Sequence, residues 1–156
     1  MSNNPTSKKL DFLQLLSNDK VIAENETWQP LSKIEIPIIQ RDYAQGRTTD
    51  DVKNLRDKFV NDFLIKSLIE EKPIELDFVY GSIIFDKKED EQKKIFIPLD
   101  GQQRLTTLFL LHYFIGVKEK RLDEIITHLS KFTYETRPSA HEFCTNLLKQ
   151  NIVENL

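Results

Sequence analysis

A single cysteine in 156 residues excludes an intrachain disulfide, so the fold has to be held by its own core. Long apolar runs are also missing. Nothing approaches the roughly 20 residues needed to cross a bilayer, and the first residues, MSNNPTSKKLDF, lack the apolar centre of a secretion signal, so a cytoplasmic location without membrane contact is expected. Excess positive charge is absent as well. With 22 basic against 25 acidic side chains the formal charge is -3, which argues against a protein that coats a nucleic-acid duplex along a basic face. Four glycines and six prolines leave no low-complexity linker, and no internal repeat is present. Only three histidines occur, His112, His128 and His141, each inside a predicted helix, so no nuclease centre is legible. His112 falls on an apolar stripe and is expected to pack.

What is present suits one soluble globular domain: 39% apolar residues, 30% charged residues and enough aromatic side chains to build a core. Leu10, Phe12, Leu13 and Leu16 fall at helical spacing and predict a short leading helix before the polar turn at Ser17. Ile34, Ile36 and Ile38 alternate with Lys33, Glu35 and Pro37, the period of a strand. Pro37 makes that strand an edge or its end. The polar stretch QRDYAQGRTTDD then predicts a loop leading to a cap at Thr49 or Asp50. An amphipathic helix to about Glu70 follows, with Val52, Leu55, Phe59, Phe63 and Leu64 expected to pack. Phe78 to Phe85 is a nearly continuous apolar run predicting a buried strand, with Gly81 allowing a close backbone approach. It pairs in a predicted hairpin with Lys94 to Leu99 across the charged tip DKKEDEQKK. From Asp100 the period becomes helical and Gly116 is expected to end the run. A short helix near Leu122 to Leu129, an extended piece at Phe132 to Thr136 and a final helix from Pro138 or Ser139 complete the chain. Cys144, inside that helix, is expected to be a buried, inert thiol.

The junction Asp100-Gly101-Gln102-Gln103-Arg104 carries the strongest chemical signal, because a strand ends there and a helix begins. The first turn of a helix presents N-H groups at the positive end of its dipole, which suits an anion. Gly101 would admit a phosphate to the backbone, and Arg104 would bring a planar fork of donors to the same face. The same spacing also describes a capping box between Asp100 and Gln103, so a purely structural role stands beside the ligand role. A lone glycine without Gly-Lys-Ser or Gly-Lys-Thr is not a Walker-type phosphate loop. Gln40-Arg41-Asp42-Tyr43 forms a second polar group just past a predicted strand, and Tyr134-Glu135-Thr136-Arg137 a third. Ligands of open α/β sheets bind beyond strand ends, where Arg41 would face Arg104; a local Arg41–Asp42 ion pair is the alternative.

In their order and spacing, IPIIQRDY, FVYGSIIF, IPLDGQQRLTTLFLL and FTYETRPSAHEF resemble the N-terminal domain of GmrSD-type Type IV restriction enzymes over about residues 30 to 145. The resemblance implies an α/β (α+β) fold, a ParB/sulfiredoxin-like small mixed sheet with flanking helices. Residues 1–29 would be an N-terminal helical extension and 30–156 the ParB-like nucleotide-binding domain, expected as a fragment of a longer protein. It further implies binding and hydrolysis of a nucleoside triphosphate with Mg²⁺, coupled to cleavage of foreign or modified DNA. By position, Asp100, Gln103 and Arg104 would be catalytic, and Gln40, Arg41, Gly101, Gln102, Arg104 and Thr106 would contact the nucleotide. Arg104 is assigned to phosphate charge, and Asp100 to a metal-bound water or to the helix cap. DNA would be engaged through the full-length protein, with a His-Asn-His nuclease domain or separate subunit as partner.

Overall fold

The computed structural model describes residues 9–17, 21–23, 26–28, 30–37, 48–86, 93–135 and 138–153. Element by element, the chain runs α1 (Phe12–Leu15), β1 (Val21–Ala23), β2 (Glu26–Trp28), β3 (Lys33–Ile36) and α2 (Asp50–Asp57). A π-helical segment (Lys58–Ile65), α3 (Lys66–Glu70), β4 (Gly81–Asp86), β5 (Lys93–Pro98), α4 (Gln102–Lys118), α5 (Leu122–Leu129), β6 (Phe132–Tyr134) and α6 (Pro138–Val153) follow. Strands β1 and β2 form a separate antiparallel pair, which the sequence reading did not anticipate. The main sheet has the order β4-β5-β3-β6, with β3 parallel to β5 and to β6 and β4 antiparallel to β5. It is a mixed sheet with flanking helices, the α/β class expected.

Ile34 and Ile36 alternate with Lys33 and Glu35 and are buried, so one face of β3 turns to the core while the other carries an ion pair between Lys33 and Glu35. That core joins Phe12 and Leu16 of the leading segment, Leu31, Leu105 and Phe109 of α4, Leu122 and Leu129 of α5, Phe132, and Cys144 and Leu148 of α6. Phe109 stacks on Phe132 with ring centroids 5.0 Å apart. Asp11 caps α1 through its Oδ1, which accepts from the Gln14 N-H at 2.7 Å, and the Gln14 side chain accepts from the Asp11 N-H in return. Lys131 ties three segments together, donating to the carbonyls of Ser17 and Leu31; burial lowers its pKa from the ordinary lysine value. Strand β3 lies inside the sheet and stops immediately before Pro37. No helix among the described residues is long and apolar enough to cross a membrane.

Four expectations need correction. The helical stretch from Asp50 to Glu70 forms and is amphipathic, yet none of its residues is buried: of the expected stripe, Leu55 and Phe63 are exposed and Val52, Phe59 and Leu64 only partly buried. Phe78 to Phe85 is not a buried strand, because β4 is the sheet edge and Phe78, Tyr80, Ile83, Ile84 and Phe85 are exposed. Both errors share a cause, since periodicity identifies an apolar face without supplying what covers it. Gly116 does not end its helix, which continues to Lys118; a Cβ there would lie 3.2 Å from the Leu122 Cα and 3.1 Å from the Ile125 side chain, so its bareness serves the close approach of α5. The fourth concerns the cap of α4 and belongs to the site.

Cys144 is buried, and burial pushes its thiol up to about 11. Since the thiolate is the reactive form, the native protein should leave an aromatic disulfide reagent unreacted at pH 8 and release one equivalent of chromophore only after guanidinium unfolding. Rapid native reaction, followed by absorbance, would contradict that placement.

Candidate functional site

The parallel strands β3, β5 and β6 end level with one another at one end of the sheet. Ile36 is paired with Tyr134, and the β3–β5 register, Lys33 with Ile95 and Ile34 with Phe96, carried on by two residues sets Ile36 level with Pro98. From these ends the chain continues toward Gln40 and Arg41, into Asp100 to Arg104, and into Glu135. Gln40, Arg41, Asp42, Tyr43, Arg47 and Arg137 lie outside the described residues. Asp100, Gly101, Gln102, Gln103, Arg104 and Thr106 are brought together on the first turns of α4, with Tyr134 beside them.

Gly101 is the N-cap of α4, at φ 80° and ψ 6°, with no side-chain cap hydrogen bond. The cap therefore falls on Gly101 and not on Asp100 as expected. Leu99 and Asp100 both donate their N-H groups to the Tyr80 carbonyl, at 2.8 and 3.1 Å, which turns the chain through the left-handed region at Gly101. A Cβ at Gly101 would lie 2.6 Å from Val79 Cγ2, so its bare Cα is already met by the segment entering β4.

Gln102 is buried, and its Nε2 donates back to the carbonyls of Pro98 and Leu99 at 2.7 and 3.2 Å, locking the strand end to the helix start. Thr106 Oγ1 donates to the Gln102 carbonyl at 2.9 Å. Its single hydrogen is then spent, so the 2.8 Å contact with Tyr134 has the phenol donating to Thr106. This contact links β6 to α4. The Gln103 carbonyl accepts from Thr107 Oγ1 at 2.8 Å.

Arg104 is the chief cation of the site, and its side chain is 19% exposed. Nη2 donates to the Phe78 carbonyl at 2.6 Å and faces Asp100 Oδ2 at 3.3 Å, while Nη1 lies 3.3 Å from Asp77 Oδ2. Asp77 is in turn oriented by the Phe78 N-H, which donates to its Oδ1 at 2.8 Å. That backbone hydrogen bond, followed by Arg104, holds the Asp77 carboxyl below its ordinary value. Sequence reasoning missed Asp77 altogether and left Tyr134 unassigned. Nothing local marks Asp77, which reaches Arg104 across 27 positions only through the β4–β5 pairing. Tyr134 had a usable signal in its place at the end of a predicted strand.

The described surface also holds a cavity of about 390 Å³ lined by Asp11, Leu13, Gln14, Ser17, His112 and His128. It belongs to another part of α4, since eight residues separate His112 from Arg104, roughly 12 Å along the axis. His112 is partly buried against Phe12, with ring centroids 5.0 Å apart, and its Nδ1 lies 2.8 Å from the Leu108 carbonyl, in keeping with a packed role. No group of three or more metal-ligating side chains exists among the described residues.

No curated protein and no solved structure matches the chain. A family model does: the one described as "GmrSD restriction endonuclease, N-terminal domain" matches residues 12–156. The match takes in the leading helix, the sheet and the whole of the strand-to-helix junction, and the chain belongs to this family of restriction-endonuclease N-terminal domains.

Proposed function

We propose that this domain binds a nucleoside triphosphate at the amino end of α4 and hydrolyses it in the service of a DNA-restriction protein. One observation carries the reading: the parallel strands end level with one another, and Arg104 stands in the first turn of the helix that leaves one of them. Family membership supports the restriction context. Within the reading, Arg104 neutralises phosphate charge, which is the larger part of catalysing phosphoryl transfer. Gln103 and the first-turn backbone orient the phosphates, while Gln40 and Arg41 supply the opposite lip. The buried Gln102 and Thr106 and the partly buried Tyr134 hold the frame. Mg²⁺ is commonly held by one or two carboxylates together with substrate phosphates. Asp100, exposed beside Arg104, fits that donor set, and a bound Mg²⁺ would offset the charge of the phosphates. DNA and a His-Asn-His nuclease domain or subunit would be engaged through the full-length protein.

The direct test titrates GTP, ATP, CTP and UTP, each with Mg²⁺, against the protein and its Arg104→Ala variant. Loss of a charged hydrogen-bond donor to phosphate should weaken the preferred nucleotide roughly 10- to 100-fold. Equal binding by both proteins, or none by either, would sink the reading.

A second reading is favoured by the exposed apolar surface of α2, α3 and β4. We propose it as a non-hydrolytic, ParB-like module that binds nucleic acid or protein through that surface. It differs in one measurable respect, since added nucleotide would not raise the melting temperature.

A further inference from the structure

We propose that Asp77 and Phe78 form a strap that withholds the Arg104 guanidinium from incoming anions, so that polyphosphate engages Arg104 only when the strap lifts. This rests on the nucleotide reading for what is withheld; the strap itself rests on geometry. Two adjacent residues grip the same guanidinium from one side, Asp77 through Oδ2 and Phe78 through its carbonyl. They also brace each other, the Phe78 N-H donating to Asp77 Oδ1. Asp100 occupies the other flank. Two carboxylates around one guanidinium give the cluster a negative balance, which opposes a polyphosphate for as long as Asp77 stays in place.

The strap is built to move as a unit. Its far end is fixed, because the Tyr80 carbonyl accepts from Leu99 and Asp100, and Val79 sits against Gly101. Its other end is held lightly: the Phe78 ring is 75% exposed, and upstream the exposed Glu75 pairs with the exposed Lys9. What closes it is the contact with Arg104, and exposed ion pairs are weak. Lifting residues up to Phe78 about Val79 and Tyr80 returns two acceptors to water and frees two donor sites of Arg104. Those sites then serve phosphate oxygens, while Asp100 keeps the side chain over the helix start.

The strap is tested on two readouts, with Asp77→Ala and Asp77→Asn. Asp77 is 77% exposed, so neither change threatens folding. First, phenylglyoxal modification of each arginine is timed by peptide mass spectrometry, with Arg121 as internal reference. Arg104 should react roughly three- to fivefold faster in both variants, the factor that an exposed ion pair is worth, while Arg121 stays unchanged. An unchanged Arg104 rate overturns the strap, whatever the protein binds. Second, inorganic tripolyphosphate with Mg²⁺ and the four nucleotides are titrated. Tighter binding by the variants supports the strap, and weaker binding overturns it by making Asp77 part of the ligand site. If no protein binds any polyphosphate, the nucleotide reading fails and the strap is decided by the modification rate alone.

Discussion

Phe109→Ala should lower the unfolding free energy by about 3–5 kcal/mol, the cost typical of deleting a buried aromatic ring. Phe109 has no exposed surface, stacks on Phe132 and sits between the helices and the buried face of β3 and β6. Residues of five other elements, among them Phe12, Leu122 and Cys144, belong to the same cluster and cannot all close on the void. In a chain of this size each kcal/mol is worth roughly 2–4 °C, so the melting temperature should fall on the order of 10 °C. Thermal denaturation followed by circular dichroism checks it. A fall of only a degree or two would mean that α4 does not seat on the sheet as described. Phe114→Ala on the same helix is the control, since that ring is exposed and its loss should matter little.

Gly81→Ala is expected to be about as damaging by the opposite route, overpacking against groups that cannot move aside. A Cβ at Gly81 would lie 2.1 Å from the Ile97 carbonyl oxygen and 2.7 Å from the Pro98 Cα. Both are backbone atoms of β5, so β4 would have to shift or unpair. Overpacking costs typically 1–3 kcal/mol and more when the backbone must yield. Amide hydrogen exchange should show protection lost across Ile83 to Phe85 in β4 while Phe109 and its neighbours in α4 stay protected. Uniform loss across the protein, or none, would contradict the edge position of β4. Because the Tyr80 carbonyl holds Leu99 and Asp100, the same change should also disturb the turn at Gly101.

These two positions also illustrate how far the sequence could be followed. Gly81 was legible because glycine inside an apolar run has few explanations, and close backbone approach is one of them. Helix α5 agrees with its periodicity to the residue, and the hairpin of β4 and β5 is framed by its charged tip. Local pattern could not say that Leu55, Phe63 and Leu68 stay exposed, because coverage depends on the rest of the fold. The junction at Asp100 to Arg104 was legible as a place and misread in detail. Gly101 took the cap, since two N-H groups bonding to the carbonyl of Tyr80, just ahead of β4, decide the turn from a segment distant in sequence. The grip of Asp77 on Arg104 has no sequence signature at all, being a contact between residues on different strands' approaches.

One consequence follows from Ile36, Pro98 and Tyr134 finishing side by side. The aliphatic and aromatic mass that keeps this domain folded sits behind that rim, on Ile34, Leu105, Phe109 and Phe132. Asp77 and Asp100, exposed beside Arg104, bear little of that weight. Their side chains can be exchanged without reopening the question of whether the domain folds, a separation of tasks between the rim and the mass behind it.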